Sequence, residues 1–117
     1  MANIQFGAIT TTTTTARQDI LNYTPGASSK LKLIVVAGYY TTWSATEANL
    51  GTVYIVVDGV DKFEFRIQNT DNDTLAGLVI LPFGDGIQFS GAEPVVVEVT
   101  PASTTSMRWT ATQVYDQ

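Results

Sequence analysis

Acidic side chains are the first candidates for chemistry in this chain, and they fall into two short groups. Asp58 and Asp61 flank a Gly-Val pair, while Asn69, Asp71 and Asp73 alternate within a polar stretch. Alternating oxygen ligands suit a hard cation such as Ca²⁺, but this stretch lacks the glycine and the distal glutamate of an EF-hand loop. Asp-Gly is also a frequent hairpin turn. We therefore predict a turn at the first group and a polar loop at the second. No metal site is assigned, and calcium binding by the second group is left open.

Catalysis is disfavoured by the residue types that are missing. The chain of 117 residues contains no histidine and no cysteine, which removes the commonest general base, the commonest zinc ligand and the thiol nucleophile. Glu64 and Glu98 lie within predicted strands, but neither has the identifiable carboxylate partner that paired-acid hydrolysis requires. The sequence has no P-loop, no dinucleotide fingerprint and no Gly-x-Ser-x-Gly elbow. We expect a protein that is not an enzyme and that has no catalytic residues and no cofactor.

The charge balance disfavours two further classes of partner. Eleven acidic and six basic residues give a formal net charge of −5. Binding to nucleic acid or to an anionic membrane depends on clustered Lys and Arg, and the basic residues here are scattered. No apolar stretch reaches the about 20 residues that span a bilayer, and the first residues lack the pattern of a secretory signal. We expect no nucleic-acid or membrane partner, and synthesis in the cytoplasm.

Alternating apolar residues separated by turn residues predict an all-β fold. The clearest case is Lys62–Gln68, where Phe63, Phe65 and Ile67 alternate with polar residues that would face solvent. The other predicted strands after residue 30 are Leu31–Thr42, Thr52–Val57, Leu75–Phe83, Ile87–Phe89, Val95–Thr100 and Ser106–Tyr115. Short strands at this spacing are typical of one antiparallel β-sandwich domain of about seven or eight strands, either jelly-roll or immunoglobulin-like.

Residues 1–29 differ from residues 30–117, which hold the predicted sandwich. They begin with a short strand-like stretch and continue with a run of threonines, namely Thr10, Thr11, Thr12, Thr13, Thr14 and Thr15. Threonine is β-branched and favours extended backbone, but a uniform run has no alternation that would fix its register. The segment is interpreted either as an extended N-terminal arm that contacts a neighbouring molecule or as polar edge strands of the domain itself.

Three segments are apolar at consecutive positions rather than at alternate ones, apart from Lys32 in the first: Leu31–Ala37, Val53–Val57 and Val95–Val97. Successive side chains of a strand point to opposite faces, so each segment would bury both of its sides. A chain of this length can form two packed sheets but not a third layer over them. We therefore predict that a second apolar face closes a subunit interface. The residues assigned to that interface are Ile34, Val36, Tyr40, Tyr54 and Val56.

Aromatic residues allow an alternative function. Tyr40 and Trp43 lie close together near the end of a predicted strand and could stack against a sugar ring, because such side chains combine an apolar face with a polar group. Tyr and Trp are also enriched in subunit interfaces. The interface is the favoured interpretation, and a glycan platform at Tyr40 and Trp43 is retained as the alternative.

With its Thr-rich β domain, its extended segment from Thr10 to Thr15, its few charges and its lack of Cys and His, the chain resembles the small capsid decoration (cement) proteins of tailed bacteriophages. The likeness covers the whole chain and rests on overall character rather than on a diagnostic motif. It implies a homo-oligomer, with a trimer favoured, that packs non-covalently on the major capsid protein and stabilises the surface of the virion. The threonine run would then be the arm that contacts the capsid. The alternative is a carbohydrate-binding module or a receptor-binding fibre-tip domain.

Overall fold

The computed structural model describes residues 2–11, 14–41, 49–68 and 76–117, which form eight β-strands. The strands are β1 (Ala2–Thr11), β2 (Gln18–Tyr23), β3 (Lys30–Tyr40), β4 (Asn49–Val57), β5 (Val60–Gln68), β6 (Ala76–Gln88), β7 (Val95–Pro101) and β8 (Met107–Asp116). No helix of a length and hydrophobicity that could cross a membrane occurs among the described residues.

The strands form two four-stranded sheets, and every pair of consecutive strands except β4 and β5 is divided between them. The first sheet has the order β1-β8-β3-β6 and the second the order β2-β7-β4-β5, with all neighbouring strands antiparallel. Eight strands connected in this way form the double Greek key of a jelly roll. The predicted all-β antiparallel sandwich is confirmed, and the jelly roll is the form that it takes.

Alternation along each strand places one of its sides in the core between the sheets. β8 shows this most clearly, because buried and half-buried residues alternate along it until the exposed Asp116. The largest fully buried side chains are Trp109, Tyr40, Tyr115, Leu31, Ile34, Leu50, Ile55, Met107, Gln113, Val36, Val53 and Val95. Burying one large apolar side chain contributes about 1.5–3 kcal/mol, so this core is the main source of stability.

Trp109 is accommodated by a glycine on the neighbouring strand. Gly38 is paired with Trp109 between β3 and β8, and a Cβ atom at position 38 would lie 2.4 Å from Cζ3 of the indole. The indole therefore occupies the space that a larger side chain at this position would need. The pair fixes how β3 and β8 pack on the inner side of the first sheet.

β4 and β5 are joined by the predicted two-residue turn. Asp58 and Gly59 have φ values of 52° and 79°, and a type I′ turn requires positive φ at both of these positions. Val57 and Val60 are the paired residues that close the hairpin. The prediction of a turn at this Asp-Gly pair is confirmed.

β6 differs from the prediction. The sequence predicted two strands with a turn at residues 84–86 between them. The structure has one strand, in which Pro82 is paired with Leu33 and Ile87 with Leu31. Because the ladder to β3 continues on both sides, the intervening residues form a bulge rather than a turn. Gly84 and Gly86 have the φ values of 59° and 102° at the bulge, which glycine adopts without a steric penalty.

The N-terminal segment supplies two edge strands. β1 pairs with β8 and β2 pairs with β7, so residues 2–11 and 18–23 take part in the two sheets. Of the two interpretations left open for this segment, the structure shows edge strands of the same domain for these residues. The connection from β1 to β2 carries the chain from the first sheet to the second.

Candidate functional site

Three rows of paired residues form a continuous surface on the outer face of the first sheet. Each row crosses β1, β8, β3 and β6 in that order, with its side chains on the side away from the core. The rows are Ile4, Val114, Leu33 and Pro82; Phe6, Thr112, Val35 and Ile80; and Ala8, Thr110, Ala37 and Leu78. We call these residues the apolar grid. Apart from two threonines, every member is apolar, and none is charged.

The apolar grid is most exposed on its two edge strands. Phe6 and Ile4 of β1 are 64% and 63% exposed, and Leu78 and Ile80 of β6 are 59% and 55% exposed. The members on the central strands β3 and β8 are half-buried, since each of these strands has a neighbour on both sides. Contiguous exposed apolar surface is uncommon on monomeric proteins and is characteristic of interaction sites.

The first half of β1 has polar residues on its inner side and apolar residues on its outer side, whereas Ile9, further along the inner side, packs against the core. Asn3 and Gln5 are half-buried, while Ile4 and Phe6, which alternate with them, are exposed. Asn3 Nδ2 donates a hydrogen bond to Tyr23 Oη at 2.7 Å, and Gln5 Nε2 donates to Asn3 Oδ1 at 2.8 Å. This is the reverse of the pattern of a sheet face exposed to water. The apolar residues on the outer side of β1 therefore suit contact with another surface.

Charged side chains lie at the two ends of the apolar grid. At one end, Arg108 is paired with Thr10 of β1 and with Tyr39 of β3, and Arg108 Nη1 donates to Thr10 Oγ1 at 3.1 Å. At the other end, Asp116 is paired with Lys30. An apolar centre with a polar rim is the usual composition of a protein–protein interface.

Three of the residues predicted for the subunit interface lie in the core instead. Ile34, Val36 and Tyr40 are fully buried, and the Tyr40 hydroxyl donates to the Asn49 carbonyl oxygen at 2.6 Å. The assignment is corrected for these residues, because their surface is already covered within the fold. β3 is apolar on both sides, so its sequence could not show which side meets the second sheet. The other side of β3 carries its members of the apolar grid.

The remaining two predicted interface residues lie on the opposite sheet. Tyr54 is on the outer face of the second sheet, and the Arg17 guanidinium carbon lies 3.7 Å from the centre of its ring. Val56 follows on the same side of β4 and is 6% exposed. The five residues assigned to one interface therefore do not share a surface, and the assignment is corrected for the set as a whole.

An ion-pair cluster occupies the outer face of the second sheet. Arg17 Nη2 lies 2.7 Å from Asp61 Oδ1, and Arg17 Nε donates to Glu98 Oε1 at 2.6 Å. The hydrogen bonds to Asp61 and Glu98 raise the pKa of Arg17, and the hydrogen bond from Arg17 lowers the pKa of Asp61. Glu98 also forms a register row with Asp19 and Tyr54. This face is charged, in contrast to the apolar grid.

The two candidate acids on predicted strands, Glu64 and Glu98, lie in one register row on either side of Tyr54. Asp61 and Glu98 both bind Arg17, and Glu64 is exposed on β5. No group of three or more His, Cys, Asp or Glu side chains that could hold a metal ion is found in the described part of the chain.

A cleft of about 220 Å³ lies at one end of the second sheet. Its lining residues are Asn49, Gly51, Thr52, Arg66, Ile67, Thr100, Pro101 and Ala102. Small-molecule sites typically occupy about 300–1,000 Å³, and this cleft is smaller than that range. Its lining includes one charged side chain, Arg66. The cleft is a weaker candidate site than the apolar grid.

The threonine run and the glycan platform are only partly described. Thr10 and Thr11 belong to β1, Thr14 Oγ1 accepts a hydrogen bond from the Ala16 backbone N–H, and Thr15 is exposed. The glycan platform loses its tyrosine, because Tyr40 is fully buried. The predicted residues that lie outside the described part of the chain are Thr12, Thr13, Trp43, Asn69, Asp71 and Asp73.

Comparisons with known proteins find similar folds among solved structures. No protein-family model and no curated protein matches the chain. Among solved structures, a mitogen from Yersinia pseudotuberculosis is similar at 8% identity over 97% of this chain and 86% of that one, with a TM-score of 0.58. A chain of the capsid asymmetric unit of cyanophage Pam1 is similar at 12% identity over 97% and 83%, with a TM-score of 0.54. The chain thus shares a β-sandwich fold with a bacterial mitogen and with a phage capsid protein.

Proposed function

We propose that this protein is a structural component of a virion, a decoration protein that sits on the capsid surface and stabilises the shell by non-covalent packing. The proposal makes the chain a binding protein rather than an enzyme. Its partners are further copies of itself and the major capsid protein.

The apolar grid is the observation that carries the proposal. A small domain with a formal net charge of −5 would normally place charged or polar side chains on the outside of an antiparallel sheet. Here three consecutive rows of the first sheet lack any charged side chain. Four of the members on the edge strands, Ile4, Phe6, Leu78 and Ile80, are more than half exposed. Covering such a surface is the main favourable contribution to protein association.

The fold and the composition add support. Two packed four-stranded sheets form the fold, and the likeness to a phage capsid chain has a TM-score of 0.54. The sequence also resembles decoration proteins in its abundance of threonine and its low content of charged residues. Uncharged polar side chains lose less solvation free energy than ions when they become buried against a neighbour.

The glycan alternative has no comparable support. It depended on Tyr40 together with Trp43, and the Tyr40 ring is in the core with its hydroxyl donating to the Asn49 carbonyl oxygen. A buried ring cannot stack against a sugar. We therefore retain the structural function alone.

The proposal is tested on virus particles from the source of this chain. Particles purified on a density gradient should carry the protein in many copies, and antibody should bind it on intact particles. Particles produced without the chain should lose shell integrity at a lower temperature, and adding the purified protein back should restore the wild-type value.

Two results would contradict the decoration role. One is that assembled particles contain no copies of the chain. The other is that shells with and without the chain lose integrity at the same temperature. A matched control adds an unrelated acidic protein of similar size, which should leave the particles unchanged.

A further inference from the structure

We infer that a second copy of this chain covers the apolar grid, with the two first sheets packed face to face. The inference rests on the proposed structural function and names the partner of the same surface. The two copies would form a four-layer stack in which the first sheets lie inside and the second sheets lie outside.

The size of the surface fits this occupant. Alternate residues on a strand are about 6.8 Å apart and neighbouring strands about 4.8 Å apart, so three rows across four strands cover roughly 20 Å by 19 Å. One further row at each end, that of Arg108 and that of Asp116, extends the face to about 34 Å by 19 Å. This is on the order of 650 Å² in projection. A stable interface buries about 800 Å² of accessible surface per partner, and accessible area exceeds projected area. One face of this sheet therefore suffices for a stable dimer.

The distribution of charge favours the same arrangement. Two copies that each carry a net charge of −5 repel each other, so association is least unfavourable when the charged faces are far apart. Packed sheets are about 10 Å apart, which separates the two outermost sheets of a four-layer stack by about 30 Å. That distance is roughly three Debye lengths at about 0.1 M ionic strength. The ion-pair cluster of Arg17, Asp61 and Glu98 would then face solvent on both outer sides of the dimer.

The shape of the surface indicates how many copies take part. The apolar grid is one sheet face on one side of the molecule, so each copy offers the same surface to the other. A contact between identical surfaces is isologous and closes after two copies. Aligned sheet packing would cross the two sets of strands at about 30°. The inference therefore expects a dimer, whereas the resemblance to decoration proteins implied a trimer.

Sedimentation equilibrium on the purified full chain tests the inference. Wild-type protein should be a dimer at micromolar concentration. Ile80→Asp should weaken dimerisation by at least about a hundredfold, because a carboxylate would have to be buried in an apolar contact. Val60→Asp is the matched control. Val60 is 54% exposed and Ile80 is 55% exposed, and both residues lie on edge strands. They differ in that Val60 belongs to the second sheet.

A second variant guards against failure of Ile80→Asp to fold. Phe6→Asp alters the same row at the opposite edge of the first sheet, and it should weaken dimerisation to a similar extent. Circular dichroism and the thermal midpoint of dilute samples show that each variant is folded. Two folded variants on different strands with the same loss would assign the effect to the surface rather than to one strand.

The outcomes separate this inference from the proposed function. Face-to-face packing is overturned if the wild-type chain remains monomeric at hundreds of micromolar or forms a trimer. It is also overturned if Val60→Asp weakens association as much as Ile80→Asp does. If a monomeric wild type attaches to shells and Ile80→Asp does not, the shell covers the apolar grid, and the decoration role stands without the dimer. If the dimer forms but particles lack the chain, the decoration role fails while the contact stands.

Discussion

The two outer faces of this sandwich are built on similar strands but carry opposite chemistry. On the second sheet, Arg17 binds Asp61 and Glu98 and lies over Tyr54, so the charges on that face are partly paired within the molecule. On the first sheet, the apolar grid has no charged member and exposes residues such as Phe6. The charged face has ion pairs within a single copy, whereas the apolar face is the one that the proposed contact would cover. The difference teaches that the proposed functional surface is recognised by its lack of charged side chains.

The largest expected effect separates the two sides of β3. Ile34→Ala should lower the free energy of unfolding by about 2–5 kcal/mol, because it leaves a cavity in the core. Leu33→Ala, on the adjacent residue of the outer side, should cost the dilute monomer about 1 kcal/mol or less and should mainly weaken association. Denaturant unfolding at low protein concentration measures both values. Equal losses would show that the outer side of β3 is as well covered within one copy as the inner side.

A smaller effect is expected on the charged face. Arg17→Met keeps much of the side chain's apolar stem and removes the hydrogen bonds to Asp61 and Glu98. Because these groups are partly exposed, the thermal midpoint should fall by only a few degrees. The dimerisation constant should stay the same, since Arg17 lies on the opposite side of the molecule. A change in dimerisation without a change in midpoint would contradict the division between the faces.

Acid should reduce the stability that the charged face contributes, whereas the apolar grid has no ionisable member. The hydrogen bond from Arg17 holds the pKa of Asp61 below its ordinary value of 3.8, so ionised Asp61 stabilises the fold above that value. This contribution is lost as the pH falls through the lowered pKa of the folded state. The difference in thermal midpoint between wild type and Arg17→Met should therefore be constant near neutral pH and shrink below about pH 4. A difference that grows on acidification would contradict this assignment.

Salt should produce the smallest effect and should have opposite signs on the two faces. Sulfate strengthens the burial of apolar surface, whereas added salt screens exposed ion pairs. Dimerisation of the wild type should therefore tighten modestly in sulfate, while the stability difference between wild type and Arg17→Met should decrease. Dimerisation that weakens steadily with salt would indicate an ionic contact instead of an apolar one.

Local sequence patterns predicted the strands and turns that depend on neighbouring residues. The Asp58-Gly59 turn and the all-β class follow from short-range rules, and both are confirmed. Which side of β3 faces the core could not be predicted from the sequence, because apolar residues on both sides give the same pattern in either orientation. The bulge in β6 depends on its partner strand, so glycines that form a turn in isolation form a bulge in the sheet.

The functional surfaces were the hardest to predict because they are assembled from distant parts of the chain. Arg17 is separated by 44 residues from Asp61 and by 81 residues from Glu98, so no local pattern indicates the cluster. The apolar grid joins four strands whose order is fixed only by the fold. A partial signal was present in β1, where Ile4 and Phe6 alternate with polar residues. Which of those two sides faces outward became clear only from the hydrogen bond between Asn3 and Tyr23.

Protection of a single cysteine tests the central claim, that another molecule covers the apolar grid. The native chain contains no cysteine, so Thr112→Cys reports on the middle row of the grid and Glu64→Cys on the outer face of the second sheet. As protein concentration rises, the maleimide reaction of Thr112→Cys should slow by about tenfold, as expected when association covers that face in most molecules. The Glu64→Cys rate should stay constant. Equal rates for Thr112→Cys at low and high concentration would contradict the account.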